Sequence, residues 1–289
     1  MPLTYHEIDE KMLNKMKKRD REFLITICTG ADFEDNKRRK KERPKCFKEM
    51  RIKQRSYYIL FCPYCKNHGL FLTYRKPNKN KQEPFQCVFC GETNPEQKIS
   101  FTLEKSQELL EMAKEIIKEK NKLRKARKRL LLEQCIVVLT TGVEIYLRDI
   151  YATLFNIQFV KEKKSLYEKF YKDTKNNFSN IGNTNKKYKD DLNINLKQII
   201  GQKNFDILRM MQMKRNVIVH NNGNADSAYA NENNSNITLN DQVPINITEV
   251  RKFIASVYIL IKSINKEIGP SFENERMIWI EKFINGKTT

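Results

Sequence analysis

The spacing of apolar positions changes twice along the chain. Residues 8–23 carry apolar positions at helical spacing among many charges and predict a charged helical segment. Two short apolar runs, Tyr57-Tyr58-Ile59-Leu60-Phe61 and Leu70-Phe71-Leu72-Thr73-Tyr74, predict strands. Beyond Thr102 the pattern is helical almost to the end. Leu109, Ile116, Leu123 and Leu130 recur at every seventh position and predict one apolar stripe on a long charged helix. Lys120 and Arg127 occupy the other half of that heptad, which argues against an extended coiled coil. Residues 135–159 are much more apolar and predict a core helix. Residues 173–196, rich in Asn and Lys and containing Gly182, read as a connection. A helix is predicted over 204–220, stopped by Asn221-Asn222-Gly223-Asn224, and residues 224–240 read as a polar loop. The last strong helix starts from an N-cap at Thr248 and places Val250, Ile254, Val257, Ile261, Ile264 and Ile268 on one strip. Gly269-Pro270 is expected to end it, leaving a short helix over 273–284 with Trp279.

The chain is therefore expected to be mainly α, a helical domain preceded by a small β module. Its segments are a basic helical stretch (1–55), the small β module (56–100), a long connecting helix (101–130) and a helical domain (131–289). With 289 residues, 39% of them hydrophobic, the chain can bury a core and is not disordered by composition.

Charge adds a partner class. Lys+Arg is 55 against Asp+Glu 35, a formal net charge of +20, and such a field favours nucleic acid or an anionic membrane face. Surface lysine in a Lys- and Asn-rich composition accounts for part of it. The basic run over 36–43 reads as a solvated face. No stretch reads as a membrane span and the charged N-terminus does not read as a signal peptide, so a cytoplasmic protein is expected.

Four of the seven cysteines form two C-x-x-C pairs, Cys62/Cys65 and Cys87/Cys90. Zn²⁺ takes four thiolates in a tetrahedron, and each C-x-x-C turn supplies one edge of it. Pro63 and Gly91 suit the tight turns required. A closed four-thiolate site leaves no open coordination position, so this zinc is expected to fold the module and not to catalyse. His68 stands near enough in sequence to replace a ligand. Tyr57, Tyr58, Lys66, Tyr74, Arg75, Lys76, Lys79 and Lys81 interleave rings with cations around the pairs, as stacking on single-stranded nucleic acid would use; structural docking is the alternative. Cys28, Cys46 and Cys135 read as ordinary thiols.

The stretch from Lys214 to Gly223 carries the candidate chemistry. Cleaving RNA without a metal requires a base for the ribose 2′-OH and a fixed cation for the scissile phosphate. Histidine titrates near neutrality and serves the first; arginine forks onto phosphate oxygens and serves the second. Arg215-Asn216-x3-His220 resembles the R-x4–6-H motif of the HEPN superfamily, with Val219-His220-Asn221-Asn222-Gly223 similar to that family's usual ending. Thr141-Gly142-Val143-Glu144-Ile145-Tyr146-Leu147-Arg148-Asp149-Ile150 is similar to its first core helix, and the helix after Thr248 to its closing helix.

The resemblance covers roughly residues 130–268. It implies an antiparallel bundle, a homodimer whose two Arg–His pairs line one cleft, and cleavage of RNA to 2′,3′-cyclic phosphate and 5′-OH ends. It also implies the role of a toxin or anti-phage effector, with an inhibitory or activating partner left open. His220 is then the general base, Arg215 the phosphate clamp and Asn216 an orienting group. Glu144 and Asp149 either position that pair or are surface carboxylates paired with Lys or Arg. On an ideal helix Arg215 and His220 stand about 140° apart, so they converge only if the helix bends near His220 or if a twofold partner supplies the opposing residues. The rival expectation is a non-catalytic nucleic-acid-binding or adaptor dimer bearing a zinc ribbon.

Overall fold

The computed structural model describes residues 6–8, 57–60, 71–73, 95–116, 123–159, 177–232 and 237–284. Residues 95–267 form one compact unit, and residues 1–94 with 268–289 form another.

In the second of these, β1 (His6–Ile8), β2 (Tyr57–Leu60) and β3 (Phe71–Thr73) make an antiparallel sheet in that order. Glu7 pairs with Tyr58, and Ile59 pairs with Leu72. The two strands expected from their apolar runs are present. Ile8, expected to open a helix, ends a strand instead, because its extended backbone finds the free edge of β2. The rest of the helix expected over 8–23 lies outside the described residues, as do Cys62, Cys65, Cys87 and Cys90.

The unit spanning 95–267 is helical. It contains α1 (Pro95–Glu115), α2 (Arg124–Phe159), α3 (Ile181–Leu192), α4 (Leu196–Ile200), α5 (Gln202–His220), α6 (Ser227–Glu232) and most of α7 (Ile247–Ile284). α1 opens on Pro95, whose missing N–H costs nothing at a first helical position. It buries Ile99, Leu103, Ser106, Leu110 and Ala113, alternating steps of four and three.

That face replaces the stripe expected at 109, 116, 123 and 130. Leu123 and Leu130 are exposed. The chain reverses between α1 and α2, so positions seven apart across the reversal do not share a face. The reversal is visible in the pairing: Lys98 bonds Asp149 at 2.8 Å, Thr102 faces Gly142, and Cys135 Sγ donates to the Ser106 carbonyl at 3.3 Å. Burial pushes the Cys135 thiol up to about 12, so it is an inert core thiol.

From Leu132 to Leu154, α2 is buried around most of its circumference. Among the described residues it is one helix long and apolar enough to cross a membrane by length and composition, contrary to the expectation that no such stretch exists. Half of that apolar window is buried in the fold, where α1, α3 and α5 pack on it.

The connection expected over 173–196 holds a helix. Asn180 caps α3, its side chain accepting from the amides of Gly182 and Asn183, and Ile181, Thr184, Tyr188 and Leu192 face inward. Tyr188 donates to the Leu147 carbonyl at 2.5 Å, and Tyr151 packs against Phe178 and Tyr188. The polar loop expected over 224–240 holds α6, whose Tyr229 is buried with Val217, Ala225 and Val243.

α7 starts earlier and ends later than expected. Asn246 accepts from the Glu249 amide at 2.9 Å and is the cap, not Thr248. The helix runs through Gly269 and Pro270 to Ile284; the proline removes one backbone bond, which does not stop a helix this long. α5 and α7 run antiparallel, since Asn204 meets Ser256 near one end and Lys214 meets Glu249 near the other.

A Cβ on Gly142 would stand 2.3 Å from Thr102 Cγ2 and 2.8 Å from Thr102 Cβ. A β-branched side chain on a helix cannot swing clear of all three of its atoms, so α1 and α2 would have to separate. Gly142→Ala is therefore expected to destabilise by about 1–3 kcal/mol. Gly269→Ala, with nothing within 4 Å, should be neutral or stabilising by about 0.5–1 kcal/mol. Thermal melts of the full chain by circular dichroism check both signs.

Candidate functional site

The chemistry-bearing residues sit on the last turn and a half of α5, and what fixes them is how that helix ends. Asn221 leaves helical geometry at φ −132°, and Asn222 and Gly223 then turn left-handed at φ 51° and 78°. The amides of Asn221 and Gly223 both return to the Val217 carbonyl, at 3.0 and 2.9 Å. The stop expected from Asn221-Asn222-Gly223-Asn224 is thus present, with asparagine and glycine in the conformation they tolerate best.

Beyond the cap the chain folds back on itself. The Val243 amide donates to the Gly223 carbonyl at 3.0 Å, and the Ala225 amide to the Asp241 carbonyl at 2.8 Å. The backbone and hydroxyl of Thr238 both donate to the Asp241 carboxylate and hold it below the usual carboxylate range.

Two cations lock this end to its neighbours. Arg129, on α2, bonds Glu133 at 2.7 Å and donates to the carbonyls of Val243 and Gly223, at 3.1 and 3.5 Å. Lys214, only 3% exposed, bonds Glu249 at 2.6 Å and donates to the Pro244 carbonyl. A buried ammonium demands such partners. The end of α5 is thereby tied to α2 on one side and to the start of α7 on the other.

On this support the predicted residues divide. Asn216 and His220, one turn apart, are both exposed on one face, with Val219 beside them at 47% exposure. Arg215 is half-buried, and its guanidinium donates from Nη1 to Asn216 Oδ1 at 3.2 Å. That bond draws the cation toward the Asn216–His220 face. The i to i−4 bond of Asn221 shows that the helix does not bend before His220. Arg215 and His220 therefore stay about 140° apart, with Cα atoms about 9 Å apart.

Glu144 and Asp149 are not brought to this pair. Arg129 on α2 touches the α5 cap, and Asp149 lies twenty residues further along the helix, about 30 Å from Arg129 at 1.5 Å per residue. Glu144 lies about 22 Å along by the same measure. Asp149 pairs with Lys98, as the alternative reading expects of it, but at 1% exposure it is buried and not on the surface. The two acids sit further along α2, Glu144 near its middle, whereas the α5 cap meets α2 near its start, at Arg129.

Four residues that sequence reasoning did not single out build the support: Arg129, Glu133, Lys214 and Glu249. The i, i+4 spacing of Arg129 and Glu133 was the one readable signal.

Compared with protein-family models, curated proteins and solved structures, the chain matches none.

Among the described residues no group of three or more His, Cys, Asp or Glu stands together as a metal site would need. What the α5 end offers is an exposed imidazole, a guanidinium and a carboxamide, which suit proton transfer and anion binding.

Gly223 is where this arrangement is most easily broken. Its φ of +78° strains any other L-residue, and a Cβ would meet Arg129 Nη2 at 2.9 Å and Glu133 Oε1 at 3.2 Å. Gly223→Ala is expected to destabilise by about 1–2 kcal/mol, whereas Asn222→Gly should be nearly neutral. Urea unfolding followed by circular dichroism distinguishes the two.

Proposed function

We propose that this chain is a metal-independent endoribonuclease of the HEPN type, active as a homodimer, with the last turns of α5 as its catalytic element. The observation that carries the reading is the exposed Asn216–His220 face, held on a doubly anchored helix end with Arg215 bonded to its edge. The antiparallel pairing of α5 with α7 accords with the bundle that this resemblance implies.

In this reaction His220 accepts the proton of a ribose 2′-OH as the 2′ oxygen attacks the adjacent phosphorus. Arg215 holds the non-bridging phosphate oxygens as negative charge grows on them. The bond from phosphorus to the 5′ oxygen breaks, the leaving oxygen takes a proton from an imidazolium, and the products are a 2′,3′-cyclic phosphate and a 5′-OH. Asn216 orients the guanidinium. Because α5 runs straight through His220, the residue facing His220 across the cleft is the partner copy's, and exposed Val219 gives the two copies an apolar point of contact. A toxin or anti-phage role in the cytoplasm is the setting the resemblance suggests.

Incubated with single-stranded RNA in EDTA, the wild-type chain is expected to cut and to leave cyclic phosphate ends. His220→Ala and Arg215→Ala should each lose about a hundredfold or more in rate. Tight RNA binding with no cleavage by any of the three would favour the adaptor reading.

We assign Cys62, Cys65, Cys87 and Cys90 to one structural Zn²⁺. Support comes from the sheet: Leu60 pairs with Phe71, so the connection carrying Cys62 and Cys65 joins two antiparallel strands, where a zinc knuckle belongs. Elemental analysis of the purified chain should find one zinc per chain, lost in Cys87→Ser. Two or more zinc ions, or none, would contradict the assignment.

A further inference from the structure

Five of the six residues from Arg124 to Arg129 are basic, and they form the first turn and a half of α2. That is the least favourable place on a helix for cations. The aligned peptide dipoles leave positive charge at the N-terminus, which disfavours basic residues there. No acidic residue lies in this first turn to offset it. Arg124 with Arg127 and Arg124 with Lys128 are also like-charged pairs at three- and four-residue spacing, which repel. A polyanion laid along the turn brings the sign of charge that the N-terminal end of a helix favours.

The turn is well placed to receive one. Arg124, Lys125 and Arg127 are exposed and Lys128 is half-exposed. Arg129, the last of the run, touches the Gly223 carbonyl three residues beyond His220. The cluster thus begins beside the α5 cap and extends about 7.5 Å further along the α2 axis.

We propose that Arg124, Lys125, Arg127 and Lys128 form a ledge that binds the phosphates of single-stranded RNA and holds the strand beside the α5 end. The inference rests on the nuclease reading for its choice of RNA over another polyanion. Arg129 is the junction: with one face committed to Glu133 and two carbonyls, it ties the ledge to the cap.

The test uses the full chain carrying His220→Ala, so that the probe is not cut, and a fluorescein-labelled single-stranded oligoribonucleotide read by anisotropy over a range of salt. Arg124→Gln/Lys125→Gln/Arg127→Gln/Lys128→Gln is expected to weaken binding at least tenfold at low salt. It should also lower the slope of log affinity against log salt by between about two and three, near 0.7 per lost phosphate contact on a single strand. Removing the same number of charges from the exposed face of α7, by Arg251→Gln/Lys252→Gln/Lys262→Gln/Lys266→Gln, should change the slope by less than one contact's worth. If the fourfold α2 variant melts early, Lys125→Gln alone should lower the slope by about 0.7.

Equal effects from α2 and α7 would show a diffuse field and overturn the ledge. So would a variant that keeps its RNA slope but loses binding to phosphatidylserine vesicles, which would make the turn a membrane contact. Cleavage by the wild-type chain is scored separately. Wild type that binds through the ledge but cuts nothing leaves this inference standing and ends the nuclease reading; wild type that cuts while the slope ignores the ledge does the reverse.

Discussion

The guanidinium of Arg129 is the interaction on which the end of α5 depends. It donates to the carbonyls of Gly223 and Val243 and pairs with Glu133, so one side chain closes the gap between α2, the cap of α5 and the approach to α7. Helix ends leave carbonyls without partners, and a planar donor with several N–H groups can satisfy more than one at fixed geometry. Lys214 does the matching work on the other side, buried against Glu249 and the Pro244 carbonyl. Between these two anchors, the exposed face of Asn216, Val219 and His220 has little freedom to shift.

The helical unit explains how a chain with so much positive charge can hold together. Its apolar material is concentrated in α2, whose middle is buried on nearly all sides, with Gly142 permitting α1 to approach closely. Surface charge is then free to serve binding. Glu96 shows what that core does to a carboxylate: burial raises it above the usual range, with Asn265 acting the other way. A reaction that needs a cation and an imidazole in water-facing positions belongs on the rim, and the α5 end is such a rim.

Much of this organisation was legible in the sequence, and the failures have physical causes. The strands over 57–60 and 71–73, α5 and its left-handed stop were readable because apolar runs and an Asn-Asn-Gly cap are local signals. α3 was hidden by composition. Ile181, Thr184, Tyr188 and Leu192 carry a helical period, but Asn and Lys around them resemble a linker, and the cap at Asn180 decides the matter. The stripe at 109, 116, 123 and 130 misled because a chain reversal is invisible to a period. Gly269-Pro270 was read as a stop, yet α7 continues, since proline deletes one bond and tertiary packing upstream supplies the rest. At the site, Arg215, Asn216 and His220 were singled out by the resemblance of their stretch, and the structure puts Asn216 and His220 on one exposed face with Arg215 bonded to Asn216. Glu144 and Asp149 were misplaced because a local sequence does not state which end of a long helix its neighbour meets. The anchors Lys214 and Glu249 are far apart in sequence and left no pattern to find.

Straight helix geometry leaves Arg215 and His220 on different faces, so the proposed nuclease site needs a twofold in which one copy's Arg215 works with the other copy's His220. Mixing Arg215→Ala chains with His220→Ala chains tests that requirement directly. After subunit exchange, half of the dimers carry one intact composite site, and the mixture should recover about a quarter of wild-type cleavage. A mixture no more active than its two inactive parents would contradict the account.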